Sequence, residues 1–156
     1  MTKFKIISWI LLLLILANFA GIAMDAYMIY RSGYDPSIPR FPVRPFYIGI
    51  AGMFVSSAGL YCLLRSCTVF LRRGYFNSKS ATYLKRGSYI LAAKALAWLV
   101  IGITNLDFSQ DRQDLFHSFE SISHNIFWIV ISLALLGVAD IIKKGENIKR
   151  ENDLTI

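Results

Sequence analysis

Cysteine, proline and acidic residues are all scarce in this chain, and each scarcity restricts what it can be. Two cysteines, Cys62 and Cys67, cannot supply a disulfide-dense secreted scaffold. Five residues apart, they point to different faces of a helix, and both read as reduced, structural thiols. All four prolines fall in "YRSGYDPSIPRFPVRPFY", Tyr30 to Tyr47. That segment reads as an irregular connection, and the rest of the chain contains no helix breaker of this kind. Only ten Asp and Glu oppose seventeen Lys and Arg. No G-x-S-x-G elbow, P-loop or dinucleotide fingerprint occurs, so the chain has no sequence signature of a hydrolase or nucleotide enzyme. Without a helix-turn-helix or finger pattern, nucleic acid is not an expected partner either.

Long apolar runs are what the chain does have. Of its 156 residues 55% are hydrophobic, too many for a soluble domain of this size to keep a polar surface. Ile6 to Met24 and Phe46 to Leu64 contain no charge. Gly87 to Thr104 is interrupted only by Lys94, and Ile122 to Ile142 only by His124 and Asp140. A helix needs about 20 residues to cross a hydrocarbon core about 30 Å thick. Lipid leaves backbone groups no other partner, so each run should be a helix. Lys3 and Lys5 before the first run also suit a signal peptide, but the run outlasts the usual apolar region of one. The expected fold is an all-α membrane protein of one domain. Its four transmembrane helices, at about 6–28, 46–71, 79–105 and 122–143, form two antiparallel hairpins, followed by a short tail at 144–156.

Charge sets the expected orientation. Lys3, Lys5, Arg65, Arg72, Arg73, Lys79, Lys85, Arg86, Lys143, Lys144, Lys149 and Arg150 fall on one side of this arrangement. Arg31, Arg40, Arg44 and Arg112 fall on the other. The positive-inside rule places both termini in the cytoplasm, and most of the +7 net charge is this asymmetry. Arg72, Arg73, Lys79, Lys85 and Arg86 are then a cytoplasmic set suited to anionic lipid headgroups or a protein partner.

Packing faces are legible as small residues. Gly49, Gly52, Ser56 and Gly59 recur every three or four residues along the second helix. Ala17 and Gly21 give the first helix a similar strip. Membrane helices associate through close backbone approach, so these strips read as bundle contacts, with a homo-oligomer interface as the alternative. Asn18, deep in the first helix, should seek an interhelical hydrogen bond.

Arg65, Lys94 and Asp140 lie within the inner half of the spans, removed from the flanking basic residues. Intramembrane charge is expensive and marks a functional site by default. Arg65 and Lys94 are also long enough to snorkel, and Asp140 can serve as a structural partner to either. The third connection carries the only histidines. On a helix, His117, Glu120 and His124 would fall within about 60° of one another at 100° per residue, with Asp114 beside them. That pattern is a metal-ligand candidate, although it matches neither H-E-x-x-H nor a paired Glu-x-x-His site. A solvated acidic connection is the plainer reading.

Two basic stretches complete the pattern. "RRGYFNSKSATYLKRGSYI" runs from a glycine through Tyr75 and Phe76 to Asn77 or Ser78, either able to cap the third helix. "ADIIKKGENIKRENDLTI" ends in acidic, Asn and apolar residues. Gly74 after "FLRR" and Gly145 after "IIKK" both suit a left-handed helix cap. The tail could dock its acids on the basic connection, with Leu154 and Ile156 as apolar anchors.

Together these stretches resemble the bacterial family known as domain of unknown function 2975. In that family's pattern a small residue or proline often stands at the position of Tyr75. The resemblance implies a small four-helix inner-membrane protein with cytoplasmic termini and carries over no catalytic residues. The expected function is non-enzymatic, without a cofactor: an accessory or regulatory role, in envelope stress or protection from a membrane-active toxin. A small oligomeric transporter or channel using Arg65, Lys94 and Asp140 is the alternative. A metal-dependent membrane enzyme centred on His117, Glu120 and His124 is the last.

Overall fold

The apolar runs form helices that outlast them. The computed structural model describes residues 2–34, 43–74, 77–104, 106 and 112–154. It contains α1 (Thr2–Tyr34), α2 (Val43–Arg73), α3 (Ser78–Thr104) and α4 (Arg112–Leu154). Each is long and apolar enough to cross a membrane. Arg40, Tyr75, Phe76 and Ile156 lie outside the described residues. Pro45 falls in the first turn of α2, where its missing N–H costs no intrahelical bond.

Local chemistry explains the tight passage from α2 to α3. Gly74 takes a left-handed conformation (φ 89°), and its N–H donates to the Phe70 carbonyl at 3.1 Å. That single bond is the αL cap that ends a helix on glycine. Asn77 then opens α3: its side-chain oxygen accepts from the Lys79 N–H at 2.9 Å. Of the two cap residues expected from the sequence, Asn77 fills the role.

Gly145 does not repeat the behaviour of Gly74. It lies inside α4, whose 43 residues continue to Leu154. At 1.5 Å per residue α4 is about 64 Å long, twice a hydrocarbon core. The expected stop at 143 and the separate tail are therefore corrected to one continuous helix. Lysine, glutamate and arginine around Gly145 are good helix formers and outweigh one glycine. Leu154 is 79% exposed, so it does not anchor a folded-back tail.

Packing follows chain order. Among the described residues α1 packs on α2, α2 on α3 and α3 on α4, while α1 and α4 do not come within packing distance. Phe4 stacks on Phe70 at 5.3 Å, and Phe19 meets Phe54 edge-on at 6.2 Å. Early residues of α1 thus meet late residues of α2. A similar crossing of numbers relates Ser66 to Ser80 and Gly59 to Leu91 across α2 and α3.

The interior is built from small and polar groups. The largest side chains removed completely from the surface are Ser66, Ser80, Ser88 and Ser132. Around them lie Leu60, Leu63, Ala81, Leu84, Leu91, Ala95, Ala139 and Ile142. Trp9, Leu13, Phe54, Phe127, Leu133 and Ile141 face outward instead. Water would not tolerate that distribution; lipid tails accept large apolar side chains and reward close backbone contact.

Glycines mark where the backbones touch. A methyl group on Gly87 would meet the Gly59 carbonyl oxygen at 2.9 Å and Leu63 at 2.9 Å. On Gly59 it would meet Leu91 at 2.8 Å, and on Gly52 the Trp98 ring at 2.8 Å. Gly21 faces Met53 at 3.3 Å, whereas Gly49 has open space. Gly52 and Gly59 therefore carry the α3 contact expected of the glycine strip, and Gly49 takes no part. Gly87→Ala should lower unfolding free energy by about 1–3 kcal/mol, because a backbone oxygen must yield. Gly49→Ala should leave it unchanged or slightly raised. Detergent-solubilised unfolding measured by circular dichroism separates the two.

Candidate functional site

Two cavities are lined in part by polar side chains, and they differ in depth and chemistry. The inner one, about 210 Å³, is lined by all four helices. α1 supplies Leu14, Ala17 and Asn18; α2 supplies Ser56 and Leu60; α3 supplies Leu91 and Lys94; α4 supplies His124 and Trp128. Its position follows from the crossing pattern of the helices, which sets Asn18, Ser56, Lys94 and Trp128 at one level. The Ser56 hydroxyl is turned to its own helix, donating to the Gly52 carbonyl at 2.9 Å. Trp128 donates its indole N–H to His124 Nε2 at 2.9 Å. An indole nitrogen only donates, so Nε2 accepts and the imidazole carries its proton on Nδ1.

The second cavity, about 270 Å³, lies between the start of α3 and the later part of α4. Lys85, Arg86 and Lys143 line it with Ser78, Thr82, Tyr89 and Asp140. Three cations and one carboxylate thus line it. Lys85 Nζ stands 3.4 Å from Asp140 Oδ1. This pairing corrects the expectation that Asp140 meets Arg65 or Lys94. Lys94 and Asp140 line different cavities and Arg65 lines neither, so the three charges read as one cluster in the sequence do not come together. Arg65 is exposed on α2, and its carbonyl accepts from the Thr68 hydroxyl at 2.8 Å.

The remaining sequence candidates fall as follows. His117 Nδ1 and Glu120 Oε2 stand 3.6 Å apart at an exposed surface of α4. His124 turns to Trp128 instead, and among the described residues no three His, Cys, Asp or Glu side chains form a group able to hold a metal ion. Asn18 lines the inner cavity and makes no interhelical hydrogen bond among the described residues, contrary to expectation. Ala17 is exposed at that cavity rather than packed in a seam. Arg72 and Lys79 are exposed on either side of the α2–α3 passage, and Arg73 ends α2. Cys62 and Cys67 are free thiols and half-buried.

Sequence reading missed a buried polar link. Ser66 Oγ lies 2.9 Å from Ser80 Oγ and donates to the Ser80 carbonyl at 2.9 Å. Ser80 Oγ reaches the Ser66 carbonyl at 3.1 Å. Both serines sit in basic, polar surroundings in the sequence, which hid their interior position. Asn125 and Ser132, both buried on α4, were missed for a different reason: single polar residues in an apolar run carry no periodic signal.

The Lys85–Asp140 pair is 45% and 59% exposed, so its Coulomb gain is screened. Asp140→Ala should therefore cost less than about 1 kcal/mol in unfolding free energy. A loss of several kcal/mol, as a buried pair would give, contradicts this geometry.

A family model described as "Protein of unknown function (DUF2975)" matches residues 27–156, which takes in all but the first part of α1. No curated protein and no solved structure matches the chain. On the strength of that match over most of its length, this chain belongs to the DUF2975 family.

Proposed function

We propose that this chain is a non-enzymatic multi-pass protein of the bacterial cytoplasmic membrane, accessory or regulatory in role, whose cytoplasmic face engages anionic phospholipid headgroups. In this reading the helices form two antiparallel hairpins with both termini inside, as the excess of lysine and arginine in the second connection and the tail directs. Resistance to envelope stress or to a membrane-active toxin is the kind of role that such a headgroup contact serves.

One observation carries the reading: the cavity lined by Lys85, Arg86, Lys143 and Asp140. It keeps an excess of two positive charges at the level where the cytoplasmic headgroups would lie. The hydroxyls of Ser78 and Tyr89 offer hydrogen-bond donors beside those cations, while that of Thr82 donates to the Ser78 carbonyl at 2.8 Å. Ser78 opens α3, so the positive end of that helix dipole adds to the attraction for a phosphate. Each lysine or arginine near an anionic surface contributes about 1 kcal/mol. The channel reading draws less support, because Lys94 and Asp140 line separate cavities.

Thermal unfolding in neutral detergent with dioctanoyl phosphatidylglycerol or dioctanoyl phosphatidylcholine tests this. The anionic lipid should raise Tm and the zwitterionic lipid should not, with the difference shrinking as salt rises. K85Q/R86Q/K143Q should abolish most of the difference. Equal shifts for both lipids in the wild type, or an unchanged difference in the triple variant, would overturn the proposal.

A further inference from the structure

We propose that the inner cavity is a binding site for a free long-chain carboxylate, entered sideways from the bilayer between α1 and α4. The site does not depend on the headgroup cavity: the two share no lining residue.

Lys94 is the anchor. It lies sixteen residues into α3 from Ser78 and ten from Thr104, about 24 Å and 15 Å along the axis at 1.5 Å per residue. That depth places its ammonium well inside the span, half-buried in the cavity wall. Among the described residues no carboxylate stands within ion-pair distance of it; Asp140 pairs with Lys85 and Glu120 with His117. A cation at such a depth calls for a counter-charge. A ligand that brings one anionic group answers that need.

The rest of the lining matches a carboxylate with a hydrocarbon chain. Asn18 has no hydrogen-bond partner among the described residues and offers an amide N–H₂. His124, with Nε2 occupied by Trp128, presents Nδ1–H as a further donor. Lys94, Asn18 and His124 therefore bring donors to one cavity from three helices. Ala17, Leu14, Leu60, Leu91 and the Trp128 ring make the remaining wall apolar. Among the described residues no second cation lines the cavity, so its charge suits a monoanion. Its 210 Å³ holds about seven water-sized groups at ~30 Å³ each, enough for the carboxylate and the first carbons of a chain.

The exit for the chain is the seam between α1 and α4. These helices line the cavity together but do not pack on each other among the described residues. An alkyl tail can lie in that seam beside the outward-facing apolar side chains. A diacyl phospholipid fits less well, since its phosphate would have to leave the headgroup level and carry two chains through one gap.

Binding of cis-parinaric acid, a fluorescent C18 carboxylate, to the purified full chain in maltoside detergent tests the site. Palmitate should displace the probe, while methyl palmitate and dioctanoyl phosphatidylglycerol should not. Lys94→Met should weaken binding about tenfold or more, the loss of one charge-assisted hydrogen bond, while Lys94→Arg should retain most of it. Ala17→Phe, at an exposed position on the cavity wall, should block entry while leaving the α2–α3–α4 core and the helical content intact. Unchanged affinity in Lys94→Met or in Ala17→Phe overturns the assignment. So does displacement by methyl palmitate as effective as by palmitate, which would make the carboxylate irrelevant. Displacement by phosphatidylglycerol at equal concentration overturns it in favour of a phospholipid phosphate.

Discussion

Close approach of α2 to α3 is the constraint on which the bundle depends. Hydrophobic exclusion cannot hold helices together in lipid, so the contact must come from backbone proximity and polar links. Gly59 and Gly87 bring a carbonyl of one helix against the bare backbone of the other. Toward the α2–α3 passage, Ser66 and Ser80 exchange hydrogen bonds in a fully buried position. The cap at Gly74 and the cap at Asn77 keep the connection short enough to hold that register. The remaining helices attach to this pair. α4 packs on α3, with Ala139 and Ile142 in the shared core, and α1 packs on α2 through aromatic contacts and Gly21.

Serial attachment has a consequence for chemistry. Because among the described residues α1 and α4 each lean on an inner helix and not on each other, that side of the bundle is not closed by packing between these residues. The inner cavity lies behind that side, and the basic cavity lies near the start of α3. One is mostly apolar around a single lysine; the other is lined by three cations and one carboxylate. Two environments of such different polarity suit two parts of lipid-like molecules, the chain-bearing acid at depth and the phosphate at the surface.

Much of this architecture was legible in the sequence, because membrane helices are read from length and hydropathy. All four helices were found that way, while capping chemistry narrowed the start of α3 to Asn77 or Ser78, of which Asn77 fills the role. Boundaries were less legible. Gly145 resembled Gly74 in its neighbours, yet one is helical and the other left-handed. Propensity favours continuing α4 through its lysines and glutamates, and no tight turn follows to demand a cap. Partners of charged residues were not legible at all. Choosing Lys85 over Arg65 or Lys94 for Asp140 depends on the register of α3 against α4, which no periodicity encodes. His124 differs: its partner Trp128 lies four residues on along the same helix, a spacing that helical periodicity does encode. Ser66, Ser80 and Gly87 escaped notice because they sit in or beside the basic stretch, where polar residues read as surface.

The bundle depends most directly on the meeting of Ser66 and Ser80 inside the α2–α3 seam. Replacing both with cysteine, in a chain whose Cys62 and Cys67 are changed to alanine, turns that 2.9 Å oxygen contact into a test of proximity. Oxidation in isolated membranes should give an intramolecular disulfide in nearly every chain, seen by resistance to thiol alkylation without any dimer on a gel. Free thiols after oxidation, or disulfides found only between chains, would contradict the close α2–α3 contact and the bundle built on it.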